Sequence, residues 1–191
     1  VCAYFCPEGA ITLHIEDGGE WFVSEMDSGP MIHARLVPGG ENSGKLVTIV
    51  RNEAKEAAEA GGYGTIIIDG APGIGCPVIA SITGADAVLI VVEPTLSGLH
   101  DMKRALELAG FFGVKALLAV NKYDINKEIA AEISEYAAGR GITVAGMVRY
   151  EPDVTLAQMT GMSVVKNSDG PAATDIRSLR EAVVDNLDLE V

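Results

Sequence analysis

Four strand-length aliphatic runs, at residues 65–69, 87–92, 115–120 and 143–148, each stop at a polar or glycine-rich loop. Between their ends they are continuously apolar rather than alternating, which is the pattern of strands buried on both faces. Segments with apolar residues at helical spacing separate them. Buried strands joined by helices predict an α/β fold, a parallel sheet flanked by helices. Ligands of such sheets sit at the carboxyl ends of the strands. Chemistry is therefore expected just after Ile68, Val92, Val120 and Val148.

The rest of the chain fits around this frame. A helix is expected to begin near Asn42 or Ser43, with Leu46, Val47, Val50, Ala54 and Ala58 on its apolar face, and to stop at Gly61-Gly62. Ser97 or Gly98 opens a helix through Ala109, and Asn126 caps one through Ala138. Residues 154–161 form a short helix, and Pro171 starts the last. Near the start, residues 10–15 and 20–26 read as strands around an Asp17-Gly18-Gly19 turn, with a third strand at 31–36.

Asp69 ends the first run and opens Asp69-Gly70-Ala71-Pro72-Gly73-Ile74-Gly75-Cys76-Pro77. A carboxylate at that edge suits Mg²⁺ held through its water shell. Gly70, Gly73 and Gly75 would let backbone approach a terminal phosphate. Asn121-Lys122-Tyr123-Asp124 follows the third run, where Asn121 can meet a base edge. In its GTPase form the acid of Asn-Lys-x-Asp accepts two guanine N–H groups, so a guanine reading stays open. A turn capping the next helix is the plainer alternative. Arg149-Tyr150-Glu151-Pro152-Asp153 follows the fourth run and either walls a base or is an ordinary loop. Ser43-Gly44-Lys45 is set aside as a phosphate loop: the upstream Gly at the proper spacing is read as missing, Leu46 stands where Ser or Thr should hold Mg²⁺, and no strand is expected to lead into it.

Cys2 and Cys6, in Cys-x₃-Cys-Pro, match the tail of the bacterial iron–sulfur run. Cys76 stands alone and reads as a packing residue, and three Cys make no disulfide framework. Reduced thiols and the lack of a signal-peptide pattern lead to a cytoplasmic expectation. A net charge of −13 repels phosphate backbones, so nucleic acid is excluded as a partner. The longest apolar run, 87–92, falls far short of the roughly 18 residues of a membrane span.

Taken together, these motifs resemble the MinD/ParA-type ATPases that carry an inserted 4Fe–4S ferredoxin module. The resemblance rests on Cys2-x₃-Cys6-Pro-Glu-Gly-Ala-Ile, Glu41-Asn-Ser-Gly-Lys-Leu46, Ile68-Asp69-Gly-Ala-Pro-Gly-Ile-Gly-Cys-Pro77, Val92-Glu-Pro-Thr-Leu-Ser-Gly-Leu99, Asn121-Lys-Tyr-Asp-Ile-Asn126 and Tyr150-Glu-Pro-Asp153. It implies a P-loop NTPase-like domain over 37–191 and a ferredoxin-module remnant over 1–36. The chain would then be a fragment lacking the first strand and its Walker A loop, with the neighbouring edge at 65–69 exposed. Asp69 would help hold Mg²⁺, and Gly73 would sense the γ-phosphate. Asp69 and Gly73 would be the catalytic positions, with Gly70, Asn121, Asp124, Tyr150, Glu151 and Pro152 around the nucleotide. The implied cofactors are ATP, Mg²⁺ and a 4Fe–4S cluster, with Cys2 and Cys6 as iron–sulfur ligands that need not share one cluster, since the fourth Cys of such a run can serve a second one. The implied assembly is a homodimer of the complete protein with a redox or cluster-acceptor partner. Two other readings remain at this level: a GTP-binding regulator, and a non-enzymatic iron–sulfur electron carrier or cluster scaffold.

Overall fold

The computed structural model describes residues 2–11, 18–27, 29–38, 40 and 44–187. It opens with a short helix α1 (Cys2–Phe5), followed by strands β1 (Gly19–Met26) and β2 (Gly29–Leu36). These two pair antiparallel, with Phe22 opposite His33. Phe22 stacks on the His33 ring, and Ser24 Oγ lies 2.9 Å from His33 Nε2. The strands expected at 20–26 and 31–36 are thus present and joined by a turn between Met26 and Gly29, whereas the turn expected at Asp17-Gly18-Gly19 begins at Asp17, outside the described residues. Ala10 and Ile11 are not in a strand, and the rest of the expected 10–15 strand falls outside the described residues.

Helix α2 (Lys45–Gly61) packs on the hairpin and ends at Gly62. Its N-cap position is Gly44; Asn42 and Ser43, the expected caps, lie outside the described residues. Helix α3 (Cys76–Ile82), with Pro in its first turn, was not legible from apolar spacing. Arg51 of α2 fastens the two helices by donating to the carbonyls of Ala80 at 2.6 Å and Thr83 at 2.7 Å. A cation satisfying carbonyls at a helix C-terminus is the favourable polarity.

The second sheet holds β3 (Ala87–Val92), β4 (Lys115–Asn121) and β5 (Thr143–Val148), all parallel, in the order β3-β4-β5. Helix α4 (Leu96–Phe111) links β3 to β4, and α5 (Lys127–Ala138) links β4 to β5. Both starts are capped by side chains. Thr95 Oγ1 accepts from Gly98 N at 2.9 Å, and Asn126 Oδ1 accepts from Ile129 N at 3.1 Å. The cap of α4 is thus Thr95, earlier than Ser97 or Gly98. Helices α6 (Pro152–Met159), α7 (Val164–Asn167) and α8 (Pro171–Leu187) complete the chain.

Leu118 and Val120 bury fully against Met102 and Leu106 of α4 and Ile133 of α5. On the other face, Leu117 and Ala119 are equally buried. Gly146 pairs with Ala119, and a Cβ there would meet Leu179 of α8 at 3.1 Å. The missing side chain lets α8 settle directly on the sheet. No helix among the described residues is long and apolar enough to cross a membrane.

One expected strand does not form. Residues 65–69 are extended but unpaired, and Ile67 is 92% exposed. A strand exists only where its N–H and C=O groups find a neighbouring strand, and among the described residues this segment has none. The sheet ends at β3, where Val91, on the face that α8 covers elsewhere, is 60% exposed. Among the described residues, the exposed edge of the parallel sheet is that of β3.

Two predictions follow from this distribution of burial. In urea melts, Leu118→Ala costs about 2–5 kcal/mol, whereas Ile67→Ala changes stability by about 0.5 kcal/mol or less. In sedimentation velocity the 191-residue chain alone self-associates, and Ile67→Lys combined with Val91→Lys returns it to a monomer. A monomeric unmodified chain would overturn the second prediction.

Candidate functional site

The parallel register brings the carboxyl ends of β3, β4 and β5 to one edge, and side chains tie those ends together. After β3, Glu93 Oε1 accepts from Lys122 Nζ at 2.6 Å. Lys122 follows β4 and has φ 55, the one left-handed non-glycine residue among those described. Its ammonium is held above the usual lysine range, first by the hydrogen bond to Glu93 and then by that carboxylate's charge. Tyr123 packs on the core, and Asp124 Oδ1 accepts from the Tyr150 N–H at 2.7 Å.

The loop after β5 is fastened to the start of α8. Arg149 Nε donates to Asp175 Oδ2 at 2.7 Å and its Nη2 to Oδ1 at 2.9 Å, a bidentate pair. The Arg149 backbone N–H adds a third bond to Asp175 at 3.1 Å. Glu151 Oε2 accepts from Ala172 N at 2.7 Å, in the first turn of α8. Asp153 Oδ2 accepts from Ser168 Oγ at 2.8 Å. Glu151 and Asp153 thus hold backbone and hydroxyl donors near α8, and Glu151 occupies the N-cap position of α6.

Asn121 and Tyr150 remain available. Asn121 ends β4 half-buried, and its amide makes no hydrogen bond among the described residues. Tyr150 is 56% exposed, and Pro152 is exposed beside it at the start of α6. The edge therefore offers an unengaged amide flanked by an exposed aromatic ring, which suits a planar heterocycle.

Asp69 and Gly70 line a groove of about 530 Å³ with Ile32, Leu46, Val50 and Arg51. Gly73 has φ +86, a conformation that favours glycine, so the loop after Asp69 depends on it. Among the described residues no hydrogen bond joins this loop to Asn121, Asp124 or residues 149–153. Asp69 is exposed and makes no hydrogen bond there either, so its carboxylate is open to a hard cation.

The Ser43-Gly44-Lys45 segment needs one correction. Strand β2 does precede it, and Gly39 stands five residues before Gly44. Leu46 still offers no hydroxyl, and β2 belongs to an antiparallel hairpin rather than to the parallel sheet. The segment remains set aside as a phosphate loop.

At the start of the chain, the Cys6 thiol is pulled below its ordinary value by backbone N–H groups, Ala10 first and then Glu8, against a smaller opposing effect of burial. That environment suits a thiolate. The side chain of Cys2 lies outside the described residues. Among those described, no group of three or more His, Cys, Asp or Glu gathers around a common point. Cys76 is exposed at the start of α3 rather than packed as expected.

Sequence reasoning missed Glu93, Lys122 and Asp175 as organisers of this edge. Glu93 and Lys122 are 29 residues apart, and Arg149 and Asp175 are 26 apart. No local spacing announces such pairs.

No family model matches the chain. An uncharacterized protein of Methanocaldococcus jannaschii, MJ0578, is 41% identical over 98 residues, which are 51% of this chain and 34% of that protein. An uncharacterized ATP-binding protein of the same organism, MJ0823, is 32% identical over 106 residues, 54% of this chain and 40% of its own length. The matched stretches thus span less than half of these curated relatives. Among solved structures, the Aquifex aeolicus MinD cell division protein superposes with a TM-score of 0.63 at 19% identity, covering 88% of this chain and 69% of that one. The Pyrococcus horikoshii septum site-determining protein MinD, complexed with Mg-ADP, gives 0.59 at 19% identity, with 78% and 60% covered. The chain shares the fold of these MinD proteins.

The Arg149–Asp175 pair carries a prediction in pH. Its hydrogen bond to Arg149 holds the Asp175 carboxyl below the ordinary value of 3.8. A depressed carboxylate contributes stability that is present above its unfolded value and lost as pH falls through the folded one. Asp175→Asn therefore lowers Tm at pH 7, and the gap from the unmodified protein closes as pH falls below about 3.8. A gap independent of pH would show that the ion pair does not contribute.

Proposed function

We propose that this chain is part of a MinD-type ATPase that binds MgATP along the carboxyl edge of its parallel sheet. The observation that carries the reading is the Asn121 amide. It is left unengaged at the edge where Lys122 and Asp124 are both tied. The fold and the ATP-binding relative MJ0823 support the same reading. Asn121 would meet the adenine edge, and Tyr150 and Pro152 would wall the base. Glu151 and Asp124 would act from behind, by holding the loop that presents Tyr150.

Asp69 would hold Mg²⁺ through its water shell, which fits an exposed carboxylate without another partner. The metal, when bound, supplies charge neutralisation to the phosphates. Gly70 and Gly73 would let backbone N–H groups face the terminal phosphate, with Gly73 as its sensor. The 191 residues contain no complete Gly-x₄-Gly-Lys-[Ser/Thr] run. The phosphate grip is proposed to come from residues outside these 191, as part of the additional length that the relatives and the MinD structures possess. The unpaired 65–69 segment and the open edge of β3 are consistent with a further strand.

The iron–sulfur reading is a separate part of the proposal. It rests on Cys2-x₃-Cys6-Pro and on the lowered Cys6 thiol. The described residues do not by themselves fit a 4Fe–4S cluster, which takes four thiolates, so no step is derived through one. The homodimer and the redox or cluster-acceptor partner belong to the same resemblance.

Equilibrium titration of the full-length protein tests the nucleotide reading. MgATP is expected to bind in preference to MgGTP, and Asn121→Ala to weaken binding by about tenfold, the effect of one lost hydrogen bond. Asp69→Ala lowers Mg²⁺-dependent hydrolysis by about 10–100-fold, as for other residues acting on a metal from behind its ligands. Equal binding of MgATP by the unmodified protein and Asn121→Ala would end the assignment of Asn121. Iron and acid-labile sulfide in anaerobically purified protein decide the cluster: Cys6→Ser lowers both if the thiolate is a ligand.

A further inference from the structure

We propose that Asp124 is a positioning residue for the base-side loop and does not read the base itself; this rests on the nucleotide reading above. Asn121-Lys122-Tyr123-Asp124 has the form of a guanine-reading motif, in which the acid receives two N–H donors. The structure gives each member other surroundings. Lys122 turns left-handed and spends its ammonium on Glu93. Tyr123 packs on the core beneath the edge. Asp124 Oδ1 is taken by the Tyr150 N–H at 2.7 Å. One oxygen of the carboxylate is thereby committed to the main chain of the neighbouring loop.

The consequence lies in Tyr150. Its neighbours are anchored by their own bonds, Arg149 to Asp175 and Glu151 to the Ala172 N–H. Both of those ties lead to α8. The Asp124 bond leads instead to the loop after β4, the loop that carries Asn121. It fixes the spacing between Asn121 and Tyr150, the two groups left to meet a planar ligand. Adenine selectivity then follows from an amide and an aromatic ring held at a set separation, with no carboxylate presented to the base.

The test separates the bond from the charge. Asp124→Asn keeps an oxygen acceptor and removes the charge; Asp124→Ala removes both. Hydrogen exchange at the Tyr150 amide, measured without nucleotide, reports the tie directly. Protection is expected to survive in Asp124→Asn and to be lost in Asp124→Ala. MgATP affinity should follow the same order, near the unmodified value in the first variant and about tenfold weaker in the second. The ATP-to-GTP ratio should stay constant in Asp124→Asn. If Asp124→Ala does not fold, Asp124→Ser, whose acceptor is too short to span the gap, takes its place.

A shift in the ATP-to-GTP ratio in Asp124→Asn would overturn the inference in favour of base reading by the carboxylate. Unaltered Tyr150 protection and ATP affinity in Asp124→Ala would overturn it while leaving the nucleotide reading intact. Failure of the unmodified protein to bind either nucleotide would remove both.

Discussion

Burial of β4 on both faces is the constraint on which the rest depends. Its alternate residues face α4 and α5 on one side and the α8 side on the other, and all four from Leu117 to Val120 are shielded from water. A strand so placed can accept only apolar side chains and must pair its backbone on both edges. Parallel pairing in turn requires crossover helices, which return the chain to the same end of the sheet each time. Three loops consequently emerge at one edge. The site is a product of that return and needs no separate folding event.

What converts three adjacent loops into one surface is a small set of charged ties. Glu93 to Lys122 joins the first loop to the second, and Asp124 to the Tyr150 N–H joins the second to the third. Arg149 and Glu151 then bind the third to α8. Several of these groups are exposed, so their value lies less in stability than in geometry, since surface ion pairs contribute little. They limit the positions open to Asn121 and Tyr150 and leave those two groups uncommitted.

Much of this was legible in residue order. The runs at 87–92 and 143–148 became strands with the expected bounds, and Asn126, Gly62 and Pro171 mark the helix ends where their chemistry placed them. These signals are local: a hydrophobic period, a capping oxygen, a fixed proline φ. The run at 65–69 carries the same local signal and remains unpaired, because strand formation also depends on a neighbour. The runs at 20–26 and 31–36 also became strands, and only their pairing fixed the register that puts Phe22 opposite His33 and Met26 opposite Gly29.

The roles of the polar residues divide along the same line. Sequence alone determined that polar groups would gather after β4 and β5, because an aliphatic strand must end where its side chains meet water. It also marked Asn121, Asp124, Tyr150 and Glu151 as the residues standing there. Only the tertiary structure decided which of them were already committed. Asp124 and Glu151 accept backbone N–H groups that lie 26 and 21 residues away in the chain, while Asn121 accepts none. The physical reason is that a hydrogen bond depends on distance in space, to within a few tenths of an ångström. Residue order carries no such distance until the sheet has brought its ends together.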